Sequence, residues 1–219
     1  GRYLEAFGEF QTYAEGLRVA EPPRPGSPDA ALAGGGNTWA GLIRLLTPET
    51  VRDIGVAALG SQRLTLGLQL LGSLERELPD AARSTATHYR GRLLLARGDY
   101  GAARRALSNA LAAAGESHER DRVLRNYIMA LVRGSPEEAA VSVGGLLQEA
   151  SDAARFDGVL EELAHSLVSE RHWEGLLSAY RDLRDVASEA ITAQYGVIVA
   201  EAMRGGYLAP PSGDRKSVV

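Results

Sequence analysis

The chain has 219 residues and a formal net charge of −4, and with 45% hydrophobic residues it is too apolar for a disordered chain. It contains no cysteine, which excludes disulfides, thiolate zinc sites and cysteine nucleophiles. No apolar run approaches the roughly 20 residues of a transmembrane helix. The mild acidity argues against nucleic acid as a partner, since that binding needs a concentrated basic surface. Aromatic residues make up only 6%, which favours helices over sheets.

The N-terminal part is predicted to form a helix and then a linker. Apolar residues recur at three- and four-residue steps over residues 1–20, which is the period of a helix face. Four prolines follow between residues 22 and 28, and proline cannot continue a helix. Residues 21–38 are therefore predicted to be a linker loop, and its glycine run 34–36 lacks the preceding strand that a phosphate-binding loop needs.

Residues 39–208 are predicted to form an all-α row of stacked antiparallel helix pairs. Helix-start signals recur along this region, among them Thr47 before Pro48 and Ser135 before Pro136. A repeat of about 36 residues becomes visible when the second helices of successive pairs are aligned. Their predicted first residues, at steps of 36, 36, 37 and 34, are Leu64, Tyr100, Pro136, Trp173 and Tyr207.

Nine positions before these five starts, three residues are small, Gly55, Gly91 and Ala164, and the other two are Tyr127 and Ile198. Close packing of two crossing helices requires small side chains at the crossing point. The best-formed unit, Ala86–Gly115, combines Gly91 with the turn 98–100, Ala103 and Leu107. It resembles the tetratricopeptide repeat, although Arg90 stands where that family prefers leucine. The resemblance covers residues 48–208 and implies a right-handed superhelix of helix pairs whose first helices line a concave face.

A second resemblance concerns residues 156–163, 172–180, 193–198 and 206–208. They are similar to the superhelical region that precedes the catalytic domain of bacterial soluble lytic transglycosylases. That resemblance implies a periplasmic arm that holds a peptidoglycan glycan strand, with the catalytic glutamate on a domain missing from this fragment. Without it, a cytoplasmic location is expected. Glu116-Ser117 lies in a polar corner and lacks the apolar helical context that a catalytic acid needs, so no catalytic residue is predicted.

The C-terminal residues 209–219 are predicted to be a disordered tail. Its last six residues, 214–219, include the only lysine of the chain and match the translation of a sequencing adapter. We therefore expect a sequencing artefact and a fragment of a longer protein; a natural polar tail is the alternative.

No cofactor or metal site is predicted. His165 and His172 are seven residues apart, but a metal site needs a third ligand, so they are interpreted as an ordinary surface or groove pair. Aromatic residues at repeat positions, including Trp173 and Tyr207, are interpreted as packing residues rather than ligand-stacking ones.

Charge is uneven along the chain and gives the one functional hint. Six arginines lie between Arg83 and Arg105, whereas ten acidic residues and four arginines lie between Glu149 and Glu189. Such a dipolar surface orients a charged partner. The register implied by the repeat gives these candidates for a concave binding face: Arg52, His88, Arg92, Leu124, Ile128, Glu161 and His165.

Two interpretations remain open. The first is a non-catalytic scaffold that binds a protein, a peptide or a polymer on this concave face. The second is the arm of a lytic transglycosylase. A free-standing helical enzyme would need convergent polar residues, and the sequence offers none.

Overall fold

The computed structural model describes residues 46–115 and 117–208, together with Gly8 and Ile43. These residues form nine α-helices and one short 3-10 helix, without a strand, so the predicted all-α class is confirmed. The predicted helix 1–20 apart from Gly8, the linker 21–38 and the tail 209–219 lie outside the described residues. None of the described helices is long and apolar enough to cross a membrane. The chain divides into two compact units, residues 1–113 and 114–219.

The first unit contains α1 (Pro48–Gly60), α2 (Leu64–Leu74), α3 (Asp80–Arg97) and α4 (Tyr100–Ala113). Helix α3 is central, since it packs against α1, α2 and α4, and α1 also packs against α2. The core of the first unit is built from the apolar faces of α1, α2 and α3. The core side chains include Val51, Ile54, Leu70, Leu71, Leu74, Leu78, Tyr89 and Leu93.

The second unit contains α5 (Ser117–Gly134), α6 (Pro136–Leu147), a 3-10 helix (Ala153–Phe156), α7 (Asp157–Ser169), α8 (Trp173–Leu183) and α9 (Glu189–Arg204). Consecutive helices pack against each other, and alternate ones pack as well: α5 on α7, α6 on α8 and α7 on α9. The buried side chains include Val143, Leu147, Phe156, Leu160, Leu163, Leu176, Leu183 and Tyr195.

Helix boundaries agree with the 36-residue spacing. Helices α2, α4, α6 and α8 begin at Leu64, Tyr100, Pro136 and Trp173, the residues predicted to start the second helices. Tyr207 differs, because it follows the end of α9 and does not begin a helix within the described residues. The right-handed superhelix remains a prediction.

Left-handed residues end four of the helices. At Gly98 (φ 83°), the amide of Asp99 donates to the Leu94 carbonyl at 2.9 Å and the amide of Gly98 donates to Leu95 at 3.1 Å. This pair of hydrogen bonds is the Schellman motif, which satisfies the last carbonyls of a helix and turns the chain back. The same two-bond pattern occurs at Gln62, Arg171 and Gly206.

Glycines mark the points where helices approach most closely. A methyl group on Gly91 of α3 would lie 2.5 Å from Cγ of Leu107 in α4, and one on Gly55 of α1 would overlap the ring of Tyr89. On Gly144 of α6 it would lie 2.6 Å from Cβ of Asp182 and 3.1 Å from that residue's carbonyl oxygen. Gly55 and Gly91 therefore lie where two helices touch, as the pattern of small residues in the sequence predicted.

Two carboxylates bridge segments that are distant in sequence. Glu75 accepts hydrogen bonds from Thr87 Oγ1 and Arg90 Nη1, both at 2.7 Å. In the second unit the buried Asp121 accepts from the amide of Ser151 at 3.0 Å and from its hydroxyl. The second bridge satisfies the carboxylate of Asp121, which burial would otherwise leave without partners.

The adjacent glycines of α6 give a matched test of the helix contact. Gly144→Ala is expected to lower the free energy of unfolding of the second unit by about 1–3 kcal/mol, because backbone atoms of α8 cannot yield to the new methyl group. Gly145 has no atom within 4 Å of such a methyl group. Gly145→Ala should therefore raise stability, by up to about 1 kcal/mol, through helix propensity. Amide hydrogen exchange in α6 and α8 measures the change in stability of each variant. Equal changes in the two variants would contradict the close contact at Gly144.

Tyr195 of α9 is fully buried, and its hydroxyl donates to the Leu160 carbonyl of α7 at 2.8 Å. Burial raises the pKa of this phenol above its ordinary value of 10.0. The folded state therefore holds the proton to higher pH than the unfolded chain does. The stabilisation from neutral Tyr195 is complete below pH 10 and is lost as the pH rises further.

Tyr195→Phe is expected to cost about 1 kcal/mol at pH 7, through the lost hydrogen bond. Between pH 10 and pH 11 the wild type should lose about 1 kcal/mol relative to the variant, because the unfolded phenol is already half ionised at pH 10. Urea denaturation at pH 7, 10 and 11 measures this difference, and the other tyrosines cancel in the comparison. A difference that does not change with pH would show that Tyr195 titrates normally in the folded state.

Candidate functional site

The predicted face residues of the first unit have different environments. Arg52 is exposed, with its Nε 3.5 Å from Oδ1 of Asp53. Arg92 is half-buried, and its guanidinium carbon lies 4.9 Å from the centre of the Tyr89 ring, a cation–π contact. His88 is only 3% exposed. The expectation of an open His88 is wrong, because α3 is covered by three other helices and His88 belongs to the interior.

In the second unit, Glu161 and His165 are exposed on α7, whereas Leu124 and Ile128 are fully buried in α5. The expected apolar centre of an open face is therefore not formed by these two side chains. They lie one helical turn apart on α5, which packs against α6 and α7 and buries its apolar face there. Ligand binding by the exposed residues Arg52, Glu161 and His165 and by the half-buried Arg92 remains a prediction.

A groove of about 490 Å³ lies in the second unit, where α6 and α8 begin and the chain leaves α9. The sequence did not identify it, since its aromatic residues fit the packing pattern of the repeat. We call it the α6/α8 groove. Its lining residues are Glu137, Val141, Arg171, His172, Trp173, Glu174, Gly175, Ser178 and Tyr207.

Stacked aromatic rings form one wall of the groove. The rings of Trp173 and Tyr207 are 5.0 Å apart and inclined by 17°. Gly206, with φ 76°, ends α9 and lets the amide of Tyr207 donate to the Ala202 carbonyl at 2.9 Å, which holds Tyr207 beside the start of α8. Tyr207 is 61% exposed and Val141 70% exposed, so both are open to a ligand. The interpretation of Tyr207 as a packing residue is therefore incomplete: it stacks on Trp173 and also faces solvent.

Charged residues form the other edge. His172 Nδ1 lies 2.8 Å from Oε1 of Glu137, and its Nε2 lies 3.2 Å from Oε2 of Glu170. His172 therefore connects the start of α6 to the turn before α8 through contacts with two glutamates. These contacts are made with Glu137 and Glu170 rather than with His165.

Arg171 forms the turn that leads into this edge. Its backbone is left-handed, with φ 62°, and the amide of His172 donates to the Leu167 carbonyl at 2.8 Å. Glycine is the residue that adopts this conformation without strain. The turn directs the chain into α8 and sets His172 and Trp173 at the groove.

The arrangement is suited to binding. Within residues 46–115 and 117–208, no three His, Asp or Glu side chains cluster as a metal site would require. The groove offers aromatic and aliphatic surface beside several charges, the composition of a recognition site for an amphipathic group. Comparisons of the chain with family models, with curated proteins and with solved structures gave no match.

Arg171→Gly is expected to raise the stability of the second unit by about 1 kcal/mol, because it relieves the left-handed strain of an arginine. Gly98→Ala tests the converse in the first unit and should cost about 1 kcal/mol. Hydrogen exchange of the amides in α7 and α8, and in α3 and α4, measures the two effects. Loss of stability in Arg171→Gly would mean that its side chain contributes more than the strain costs.

Proposed function

We propose that this chain is a non-catalytic helical repeat scaffold of the tetratricopeptide-like type, which binds a segment of a partner protein. In this proposal the helix pairs continue as a right-handed superhelix. The α6/α8 groove is the recognition site of the second unit, and the exposed residues of the first helices form a further surface.

The observation that carries the proposal is the regular placement of the helices. The second helices begin 36, 36 and 37 residues apart, from Leu64 to Trp173. Within the second unit, first helices α5, α7 and α9 pack in series, and second helices α6 and α8 pack on each other. Repeats that contact their neighbours in this way build extended surfaces, and extended surfaces suit the binding of a chain segment.

A glycan strand is the second candidate ligand, as the resemblance to the transglycosylase arm implies. The observation that favours it is the stacked pair Trp173 and Tyr207, whose rings offer a flat surface with a polar edge. On this alternative the chain is the arm of a peptidoglycan lytic transglycosylase, and the catalytic residues lie outside the fragment.

Peptide display on the full chain tests the scaffold proposal. A random peptide library should yield a convergent motif, and a synthetic peptide with that motif should bind saturably in an NMR titration of the ¹⁵N-labelled chain. Intact peptidoglycan sacculi serve as the competing ligand. Failure to select any motif, together with retention of the chain on sacculi, would contradict the scaffold and favour the arm. Release of soluble muropeptides from the sacculi would contradict both.

A further inference from the structure

The two described regions carry opposite net charges. Residues 46–115 contain six acidic residues and nine arginines, a net charge of +3. Residues 117–208 contain 15 acidic residues and nine arginines, a net charge of −6 with neutral histidines. The α6/α8 groove belongs to the acidic region, so the electrostatic potential around it attracts cations.

From this charge and the groove's lining, we propose that the α6/α8 groove binds the side chain of a lysine or arginine on a basic segment of a partner protein. The assignment rests on the proposed scaffold function and names the chemistry of its ligand.

The apolar surface of the groove fits the stem of such a side chain. Val141 and Tyr207 are two of the four most exposed large hydrophobic residues in the described part of the chain, and both line the groove. Lysine and arginine bury their methylene stems on apolar surface while their charged ends remain near water. The exposed Tyr207 ring also attracts a cation to its face.

Two glutamates of the groove supply negative charge that attracts a cationic ligand. Glu174 is exposed in the first turn of α8 and forms no ion pair within the described part of the chain. The carboxylate of Glu137 is 67% exposed, so its contact with His172 leaves it open to a second cation. Both residues lie in the first turn of a helix, where their negative charge offsets the positive end of the helix dipole. An anionic ligand would meet these carboxylates at the site.

Arg171 also lines the groove, and its positive charge repels a cationic ligand. The direction in which its removal changes the affinity therefore tests the proposal. Its left-handed backbone suits glycine, so Arg171→Gly removes the positive charge and keeps the turn. A cationic ligand should then bind more tightly, whereas an anionic ligand should bind more weakly. Gln62→Gly is the matched control, because Gln62 has φ 56° in the same kind of turn and lies in the first unit.

The experiment uses the full ¹⁵N-labelled chain and a blocked five-residue peptide with a central lysine between glycine and serine. The matched probes replace lysine with norleucine, which keeps the four-carbon stem without the charge, or with glutamate; chitotetraose represents a glycan. The chain has two tryptophans, and Trp39→Phe identifies the indole signal of Trp173. We expect the lysine peptide to shift that signal saturably, with a Kd at least about threefold lower than that of the norleucine peptide.

Substitutions identify the groups that bind. Glu174→Gln should weaken the lysine peptide about twofold to fivefold, as for an exposed ion pair. Glu189→Gln, a first-turn glutamate of α9 outside the groove, should leave the Kd unchanged. Tyr207→Leu should weaken binding about twofold to fivefold through loss of the cation–π contact. Arg171→Gly should tighten it, and Gln62→Gly should not.

The assignment is overturned if glutamate peptide or chitotetraose binds the groove more tightly than lysine peptide, if Arg171→Gly weakens the lysine peptide, or if no probe shifts Trp173 saturably. These failures are separable from failure of the scaffold. A displayed motif without basic residues that binds elsewhere on the chain leaves the scaffold intact and removes the groove assignment. Saturable binding of the lysine peptide without any selected motif would keep the groove assignment and contradict the scaffold.

Discussion

Close contact between helices at glycine is the constraint on which the rest of the structure depends. Without a side chain at Gly55, Gly91 or Gly144, two helix backbones approach until a partner's side chain or carbonyl fills the space of the missing methyl group. The large apolar residues on either side then interdigitate and exclude water. Helices of 11 to 18 residues gain little stability from their own hydrogen bonds, so this packing holds them in place.

Turn geometry converts this packing into a surface groove. Left-handed residues close helices with the same pair of hydrogen bonds at Gly98, Arg171 and Gly206. At Arg171 and Gly206 the turns bring Trp173 and Tyr207 into contact although 34 residues separate them. The α6/α8 groove thus follows from how the helices end. Its side chains add the chemical character: aromatic and aliphatic surface next to glutamate.

The sequence predicts the helices better than the site. Proline and glycine signals and the 36-residue spacing identify the first residues of α2, α4, α6 and α8, because turn chemistry is local. The face of a central helix is less predictable. His88 has the residue type of a surface site, yet α3 packs against three helices and His88 is buried. The stacking of Tyr207 on Trp173 and the bridge of His172 to Glu137 and Glu170 depend on tertiary contacts, which no local pattern encodes.

The order of helix contacts has a consequence for how this chain reaches its structure. Every closely packed pair of described helices lies next to each other or two apart along the chain, from α1 on α3 to α7 on α9. Each contact therefore closes only a short loop, and the entropy lost in closing it is small. Chains with such a low contact order fold fast. An early helix pair finds its partners soon after they leave the ribosome, so the fold can assemble in the direction of synthesis.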